Sequence, residues 1–159
     1  AQGQADSDRV YAPLGRAGDV RWKELQAGIG RVMQDYCGEH KGADLLELGL
    51  WWLNSIRESE VERTSVRNPH ELARYLECLV RLTVSEIILY ACLARRASSR
   101  HLNFFRLDHP DMDPPEWTKF VTIRLEQGQV KDGEIALGYW LKPPFAPTYR
   151  ENYERHCQL

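Results

Sequence analysis

The sequence lacks the glycine-rich turns by which many nucleotide-binding sites hold phosphate. Gly28-x-Gly30 and the stretch Leu14–Gly18 follow no predicted strand and do not have the G-x-G-x-x-G spacing. No P-loop pattern occurs in the chain, which excludes the common mode of binding a nucleoside triphosphate. The sequence therefore indicates no dinucleotide or nucleoside triphosphate site in this chain.

The sequence also lacks disulfide and metal-ligand patterns. It has four cysteines, at 37, 78, 92 and 157, with no C-x-x-C pair, and its five histidines never fall at zinc-ligand spacing. Cys78 and Cys92 lie about 21 Å apart along one predicted helix, too far to share a metal ion or a disulfide. We expect unpaired thiols in a reducing cytoplasm and no metal site.

Composition and hydropathy describe a globular chain without a predicted membrane span or signal peptide. The 159 residues, 43% hydrophobic and 28% charged, are typical of one domain. The net charge of -2 gives no argument for nucleic-acid binding. Because the sequence begins at Ala1 without methionine, we expect it to be processed or excised from a longer protein.

Apolar periodicity predicts two helices after a polar lead-in. Residues 1–18 are polar and contain glycine, which predicts an irregular linker. Asp19 is a candidate N-cap for a helix over about 20–37. A second helix is predicted over about 43–62, and its apolar residues cover more than one face, so it is largely enclosed or meets a partner.

A third predicted helix has the clearest start signal. Asn68 can cap it, Pro69 occupies its first position and Glu71 can accept a bond from the preceding backbone. Nothing breaks it before Arg96, and its stripe is expected at Leu72, Leu76, Leu79, Val80, Thr83, Ile87, Tyr90 and Leu93. Short connections favour antiparallel neighbours, so the predicted fold is mainly α: a spectrin-repeat-like, antiparallel three-helix bundle.

After the bundle the apolar period changes to two. Lys119 to Glu126 and Glu134 to Leu141 predict a β-hairpin at about 119–141, with its turn at Lys131-Asp132-Gly133. An isolated hairpin is marginal in water, so this one must pack on the helices. The proline-rich residues 143–147 predict an extended C-terminal tail.

Between helix and hairpin lies a segment that combines charges, prolines and an aromatic. Its pattern R-x-D-x-P-x-x-D-x-x-x-W, preceded by Arg100, comprises Arg106, Asp108, Pro110, Asp113 and Trp117. The arginines can bind an anion, or they can pair with aspartates and the last helical carbonyls, which is the favoured interpretation. Asp113 is a candidate N-cap for a short turn that carries Trp117 as a core anchor.

Other chemistry around this segment has weaker support. Asp108, Asp111 and Asp113 are similar to the start of a calcium loop, but the intervening prolines break that pattern. His101 and His109 have side chains suited to acid–base work near pH 7, yet no nucleophile accompanies them. The sequence therefore assigns no catalytic, cofactor-binding or metal-binding residue.

The segment resembles a signature in the C-terminal helical domain of the flavoprotein subunits of succinate dehydrogenase, fumarate reductase, L-aspartate oxidase and adenylylsulfate reductase. The resemblance extends over about 20–125. The opening Leu25–Gly38, together with Phe104-Phe105-Arg106, Trp117 and the following hairpin, is most similar to the adenylylsulfate reductase branch or its fumarate-reductase-like relatives. It implies a C-terminal domain over 19–159 of an FAD-dependent oxidoreductase. In this family the FAD and substrate residues lie upstream, so the chain is not expected to be active alone.

The resemblance also implies partners. These are the FAD domain of the same parent chain and, as a further candidate, an iron–sulfur electron-transfer subunit. The candidate contacts are Leu46, Trp51, Trp52 and the arginine cluster of Arg95, Arg96, Arg100 and Arg106. Two alternatives remain open. One is a stand-alone interaction module that binds a partner helix. The other is a small enzyme that uses His101 and His109 with the arginines on an anionic substrate.

Overall fold

Helices and two small strand pairs make up the computed structural model, which describes residues 2–138 and 148–156. The helices are α1 (Gln2–Tyr11), α2 (Trp22–Tyr36), α3 (Ala43–Ser59), α4 (Pro69–Ala94) and α5 (Tyr149–His156). The strands are β1 (His40–Lys41), β2 (Phe105–Arg106), β3 (Lys119–Glu126) and β4 (Gln129–Ala136). β1 pairs with β2 in parallel, and β3 with β4 antiparallel. The described part is mainly helical with a β-hairpin, as predicted.

The core lies between α2, α3 and α4, each of which contacts the other two. Apolar residues at helical spacing place one face of each helix inside. Five leucines are completely buried there: Leu25, Leu46, Leu53, Leu82 and Leu89. Among the described residues no helix is both long and apolar enough to cross a membrane.

The start of α4 follows the prediction from sequence. The Asn68 side chain accepts the Glu71 backbone N–H at 2.9 Å, and Pro69 is the first helical residue. The Glu71 carboxylate accepts the backbone N–H of Arg67 at 2.8 Å. Two N–H groups at the start of the helix are satisfied in this way, which fixes where α4 begins.

The predicted cap of α2 is wrong. The helix begins at Trp22, where the Glu24 carboxylate accepts the backbone N–H of Arg21 at 2.7 Å. Asp19 forms a two-pronged ion pair with Arg63 instead. The reason is tertiary, because Val20 forms a parallel bridge with Thr64 and this contact holds Asp19 beside Arg63.

The irregular lead-in predicted for residues 1–18 is also wrong, because Gln2–Tyr11 form α1 and Ala12–Gly15 form a 3-10 turn. α1 has no apolar stripe and therefore gives no periodic signal. The segment after it is anchored: Pro13 is buried, and Arg16 donates to the carbonyls of Val61 and Glu62 at 3.0 and 2.9 Å.

The apolar stripe predicted for α4 is partly misplaced. The face that enters the core carries Leu72, Tyr75, Cys78, Leu82, Ser85 and Leu89. Val80 and Ile87, which were expected inside, are 63% and 46% exposed. Apolar residues occupy more than one side of this helix, so the sequence pattern alone does not select the core face.

The hairpin turn lies at Gln127-Gly128, and the turn predicted at Lys131–Gly133 is wrong. Both turn residues have positive φ, 50° and 78°, which a two-residue turn matched to strand twist requires. Gly133 lies within β4 opposite Thr122, whose hydroxyl oxygen would be 2.9 Å from a Cβ at that position. The predicted end of the second strand and the extended tail at 143–147 fall largely outside the described residues.

Candidate functional site

Arg106, the first residue of the R-x-D-x-P signature, is 2% exposed. Its Nη1 donates to the carbonyl oxygens of Cys92, Leu93 and Arg95 at 2.5, 3.2 and 2.8 Å. These carbonyls belong to the last turn and the C-cap of α4, where the helix has no further N–H partners for them. A cation at this end of α4 also interacts favourably with the negative end of the helix dipole.

Asp108 completes the arrangement on the other side of the guanidinium. It accepts from Arg106 Nε at 2.8 Å and from Nη2 at 2.6 Å, a two-pronged ion pair. It also accepts the backbone N–H of Ala43, the first residue of α3, at 3.2 Å. The Arg106 guanidinium holds the pKa of this carboxyl at about 2, well below its usual range. The pair therefore joins the carboxyl end of α4 to the amino end of α3.

A second set of bonds surrounds Ser98 and Ser99. Ser98 is 2% exposed, and its hydroxyl donates to the His109 carbonyl at 2.9 Å and accepts the Arg106 backbone N–H at 2.8 Å. Ser99 Oγ donates to the Asp113 carboxylate at 2.5 Å, which lowers the pKa of that carboxyl. Neither serine gave a functional signal in the sequence.

Asp113 does not cap the short turn that follows, so that prediction is wrong. The 3-10 turn Pro115–Trp117 has Pro114 at its N-cap position. Asp113 lies in the left-handed region, with φ 50°, and accepts from Ser99 and the backbone of Arg100. The parallel bridge between Ser98 and Met112 places Asp113 beside Ser99 and Arg100, so its carboxylate binds these residues and not the turn that follows.

Trp117 is half-buried and lies among cations, whereas a core position was expected. Lys119 Nζ lies 4.4 Å from its ring centroid and Arg95 Cζ lies 5.8 Å from it. Arg95 also lies 5.9 Å from the ring of Phe104. These cation–π distances indicate that Trp117 connects the end of α4 to the hairpin.

The remaining signature positions are accessible. Arg100 is exposed and engages Asp113 through its backbone N–H at 3.2 Å. Pro110 is exposed and follows the turn closed by the His109 N–H and the Arg106 carbonyl at 3.2 Å. His101 is exposed, and His109 Nε2 lies 3.9 Å from Asp108. The structure thus brings one histidine, but not both, to the Arg106–Asp108 pair.

A concavity of about 340 Å³ opens between this segment, α3 and the hairpin. Its lining mixes basic and acidic side chains, including Arg96, His109, Glu47 and Asp132. It has no glycine-rich turn after a strand, so these residues do not fit the pyrophosphate of a dinucleotide such as FAD. Over residues 2–138 and 148–156 no three His, Cys, Asp or Glu side chains cluster to hold a metal ion.

The three predicted apolar contacts lie in different environments. Trp51 is 59% exposed and Trp52 40% exposed, and their rings meet edge to face with centroids 4.8 Å apart. Leu46 is completely buried in the core. Its prediction as a contact is wrong, because the α3 face that carries Leu46 packs on α2 and α4.

Two features were missed from sequence. One is an exposed apolar face on α4, made up of Val80, Val84, Ile87 and Ile88, which are 41–63% exposed. Their i, i+4, i+7, i+8 spacing is the available signal, but two of the four, Val80 and Ile87, were predicted to be buried instead. The other is the approach of Cys37 Sγ to Cys92 Sγ at 3.9 Å, for which a separation of 55 residues gives no sequence signal.

Comparison with known structures shows the same fold in several flavoenzyme chains. Adenylylsulfate reductase from Archaeoglobus fulgidus superimposes with a TM-score of 0.77 at 18% identity, over 86% of this chain and 25% of that chain. E. coli quinol fumarate reductase gives 0.72 at 18%, over 94% and 26%. The Mycobacterium smegmatis Sdh1 complex gives 0.67 at 23%, over 84% and 23%. The chain therefore spans about a quarter of the length of these structures.

The sequence itself matches a known family. No match was found among curated protein sequences. The family described as fumarate reductase flavoprotein C-term matches residues 26–151, which is most of the chain. The match agrees with the resemblance drawn from the signature segment and from the opening of α2. The chain belongs to this family of fumarate reductase flavoprotein C-terminal domains, and it has the fold seen in the adenylylsulfate reductase, fumarate reductase and Sdh1 structures.

Proposed function

We propose that this domain stabilises an FAD-dependent oxidoreductase by packing against its FAD domain, and that it catalyses no reaction alone. The observation that carries the proposal is the family match over residues 26–151 in a chain a quarter as long as the flavoenzyme chains it resembles. FAD then belongs to the parent protein.

The signature residues have a structural role in this proposal. Arg106 directs its side-chain donors to Asp108 and to the end of α4, which leaves it poorly placed to bind a substrate carboxylate. Asp113 is likewise held by Ser99 and Arg100. These bonds support the interpretation that the segment fixes the ends of helices and supports the surface that meets the parent enzyme.

The proposed contact surface for the FAD domain is apolar. Trp51 and Trp52 on α3 are exposed, as is the α4 face that begins at Val80. Large apolar side chains grouped on a surface are typical of an interface. The exposed Arg96 and Arg100 carry positive charge at the other end of α4 and are the proposed contact for an iron–sulfur subunit.

We also propose that the long helices form an up–down–up bundle of the spectrin-repeat kind. Gly28 lies near Ile56, and Tyr36 near Gly49, which supports opposite directions for α2 and α3. Arg57 pairs with Glu86 at 2.7 Å, while Gly49 approaches Leu89. The contact that lies later in α3 lies earlier in α4, so these two helices also run in opposite directions.

The proposed domain extends over 19–159, with residues 1–18 leading into it through α1. A reducing cytoplasm is the proposed compartment. The support is that Cys37, Cys78 and Cys92 are free thiols.

The experiment that tests the proposed function is isolation of the native gene product with an antibody to this domain. We expect a polypeptide several times heavier than 18.5 kDa with the visible absorbance of flavin. A colourless product near 18.5 kDa would contradict the proposal. In that case the interaction module would become the leading account, since it too uses the surface around Trp51.

A further inference from the structure

We propose that Cys37 and Cys92 are a modification site, a dithiol that hydroperoxides convert to a disulfide joining the end of α2 to the end of α4. The two sulfurs lie 3.9 Å apart across 55 residues of sequence. A disulfide needs about 2.05 Å, so side-chain rotation and a small shift must close the remaining gap. This inference does not depend on the proposed function.

The positions of the two cysteines allow that movement. Cys37 is the C-cap of α2, held by its N–H bond to Met33 at 3.0 Å. The chain after it bends through Gly38, where an added Cβ would meet nothing closer than 3.9 Å. Cys92 is fixed, because it lies in the last turn of α4 and its carbonyl is bound by Arg106. The shift that brings the two sulfurs together is therefore assigned to Cys37.

The surroundings make the two thiols unequal. The hydrogen bond with Cys92 and the charge of Lys41 lower the pKa of Cys37 to about 7, against the opposing effect of burial. The bond with Cys37 and burial raise the pKa of Cys92, which the charges of Lys41 and Arg106 oppose. Lys41 is 5% exposed and sits on β1, next to the Arg106 strand. Cys37 is thus the nucleophile and Cys92 the resolving thiol.

The chemistry balances with a hydroperoxide as the oxidant. The Cys37 thiolate attacks one peroxide oxygen, the O–O bond breaks, and the leaving oxygen takes a proton to give water or an alcohol. The resulting Cys37 sulfenic acid is attacked by the Cys92 sulfur. Its hydroxyl leaves with the Cys92 proton as a second water, and an S–S bond remains. Two thiols have then lost two electrons to the peroxide.

The test is exposure of the reduced 159-residue chain to equimolar hydrogen peroxide, followed by alkylation and intact-mass measurement. We expect the loss of two hydrogens, one cross-linked peptide pair containing Cys37 and Cys92, and reversal by dithiothreitol. The melting temperature should rise by roughly 5–10 °C on oxidation, because the bond closes a long loop.

Single cysteine-to-serine variants identify which cysteine is the nucleophile and which is the resolving thiol. Cys92→Ser should stop at a Cys37 sulfenic acid that dimedone traps, whereas Cys37→Ser should leave Cys92 unmodified. Cys78→Ser is the control and should oxidise like the parent chain, since Cys78 is buried and burial raises its pKa. Cys157 lies outside the described residues, so Cys157→Ser provides a background without that thiol.

Two results would overturn the proposal. One is a cross-link to Cys78 or Cys157 in place of the Cys37–Cys92 pair. The other is a chain whose circular dichroism is that of a folded protein but whose Cys37 reacts with peroxide no faster than Cys78. The second comparison uses the unmodified sequence, so a variant that fails to fold cannot obscure the result.

Discussion

At the scale of single residues, the Arg106–Asp108 pair determines how the signature segment contributes to the fold. Arg106 is 2% exposed and Asp108 has a side chain 33% exposed. A guanidinium buried this deeply is tolerated only with a charged partner and satisfied donors. The carbonyls of α4 and the Asp108 carboxylate supply both. The pair is therefore a structural link between two helix ends, and its loss should be measurable as lost stability.

We predict that Asp108→Asn lowers the free energy of unfolding at pH 7 by about 2–3 kcal/mol, because it leaves the Arg106 charge without its counter-ion. The wild-type carboxyl has a folded pKa of about 2 and an ordinary value of 3.8. A lowered pKa stabilises the folded state above the ordinary value, and this contribution is lost as the pH falls through the folded one. The difference between the two proteins should shrink between about pH 4 and pH 2.

Urea unfolding at several pH values measures this difference. Asp111→Asn is the matched control, since Asp111 is an exposed aspartate in the same segment. It should change stability by less than about 0.5 kcal/mol. A difference between Asp108→Asn and wild type that stays constant down to pH 2 would show that the ion pair does not stabilise the fold.

At the scale of helices, close approach rather than propensity explains the glycine in α3. A Cβ on Gly49 would lie 2.9 Å from Tyr36 Cβ and 3.2 Å from Leu89 Cδ1. Gly49 therefore lets α3 pack tightly on α2 and α4. Gly30 in α2 is different, because a Cβ there would meet no atom within 4 Å. Gly30 is therefore not required for close packing of α2.

We predict opposite effects of the same substitution at these two sites. Gly49→Ala should destabilise the protein by about 1–3 kcal/mol, since the packed core has no space for another carbon. Gly30→Ala should stabilise it by up to about 1 kcal/mol through helix propensity. Chemical denaturation followed by circular dichroism compares the two variants. Equal changes at both sites would mean that α3 is not packed as closely as described.

At the scale of the whole molecule, exposed apolar surface is the feature that a self-contained domain would not need. Trp51 is 59% exposed, and Val80 on α4 is 63% exposed. Single exposed apolar residues are common, but a group of them marks a contact surface. The proposed occupant is the FAD domain of the parent chain.

We predict that the isolated chain dimerises or binds a hydrophobic dye through this surface. Replacing Trp51 and Trp52 together by serine should lower the dye fluorescence with little loss of stability, because neither side chain is buried and the α4 face stays in place. Leu102→Ser is the matched control, since Leu102 is 64% exposed on the loop between α4 and β2. Sedimentation velocity and dye titration report both effects. A monodisperse monomer that binds no dye would count against an apolar contact surface.

The sequence by itself determined the family, the mainly helical class and the presence of a hairpin. It also determined the start of α4, because Asn68 and Pro69 act on groups within a few residues of themselves. Local hydrogen bonds and helical periodicity depend on residues that are close together in the sequence, so both can be predicted from it. The pairing of the signature arginines with aspartates was predicted for the same reason, since Arg106 and its partner Asp108 are two residues apart.

The tertiary structure decided what depends on distant residues. Asp19 pairs with Arg63 instead of capping a helix, and Leu46 faces the core while Trp51 does not. Apolar residues cover several sides of α3 and α4, so only the packing of three helices selects which side is buried. The approach of Cys37 to Cys92 is likewise set by how α2 and α4 pack, because no local interaction connects residues 55 positions apart.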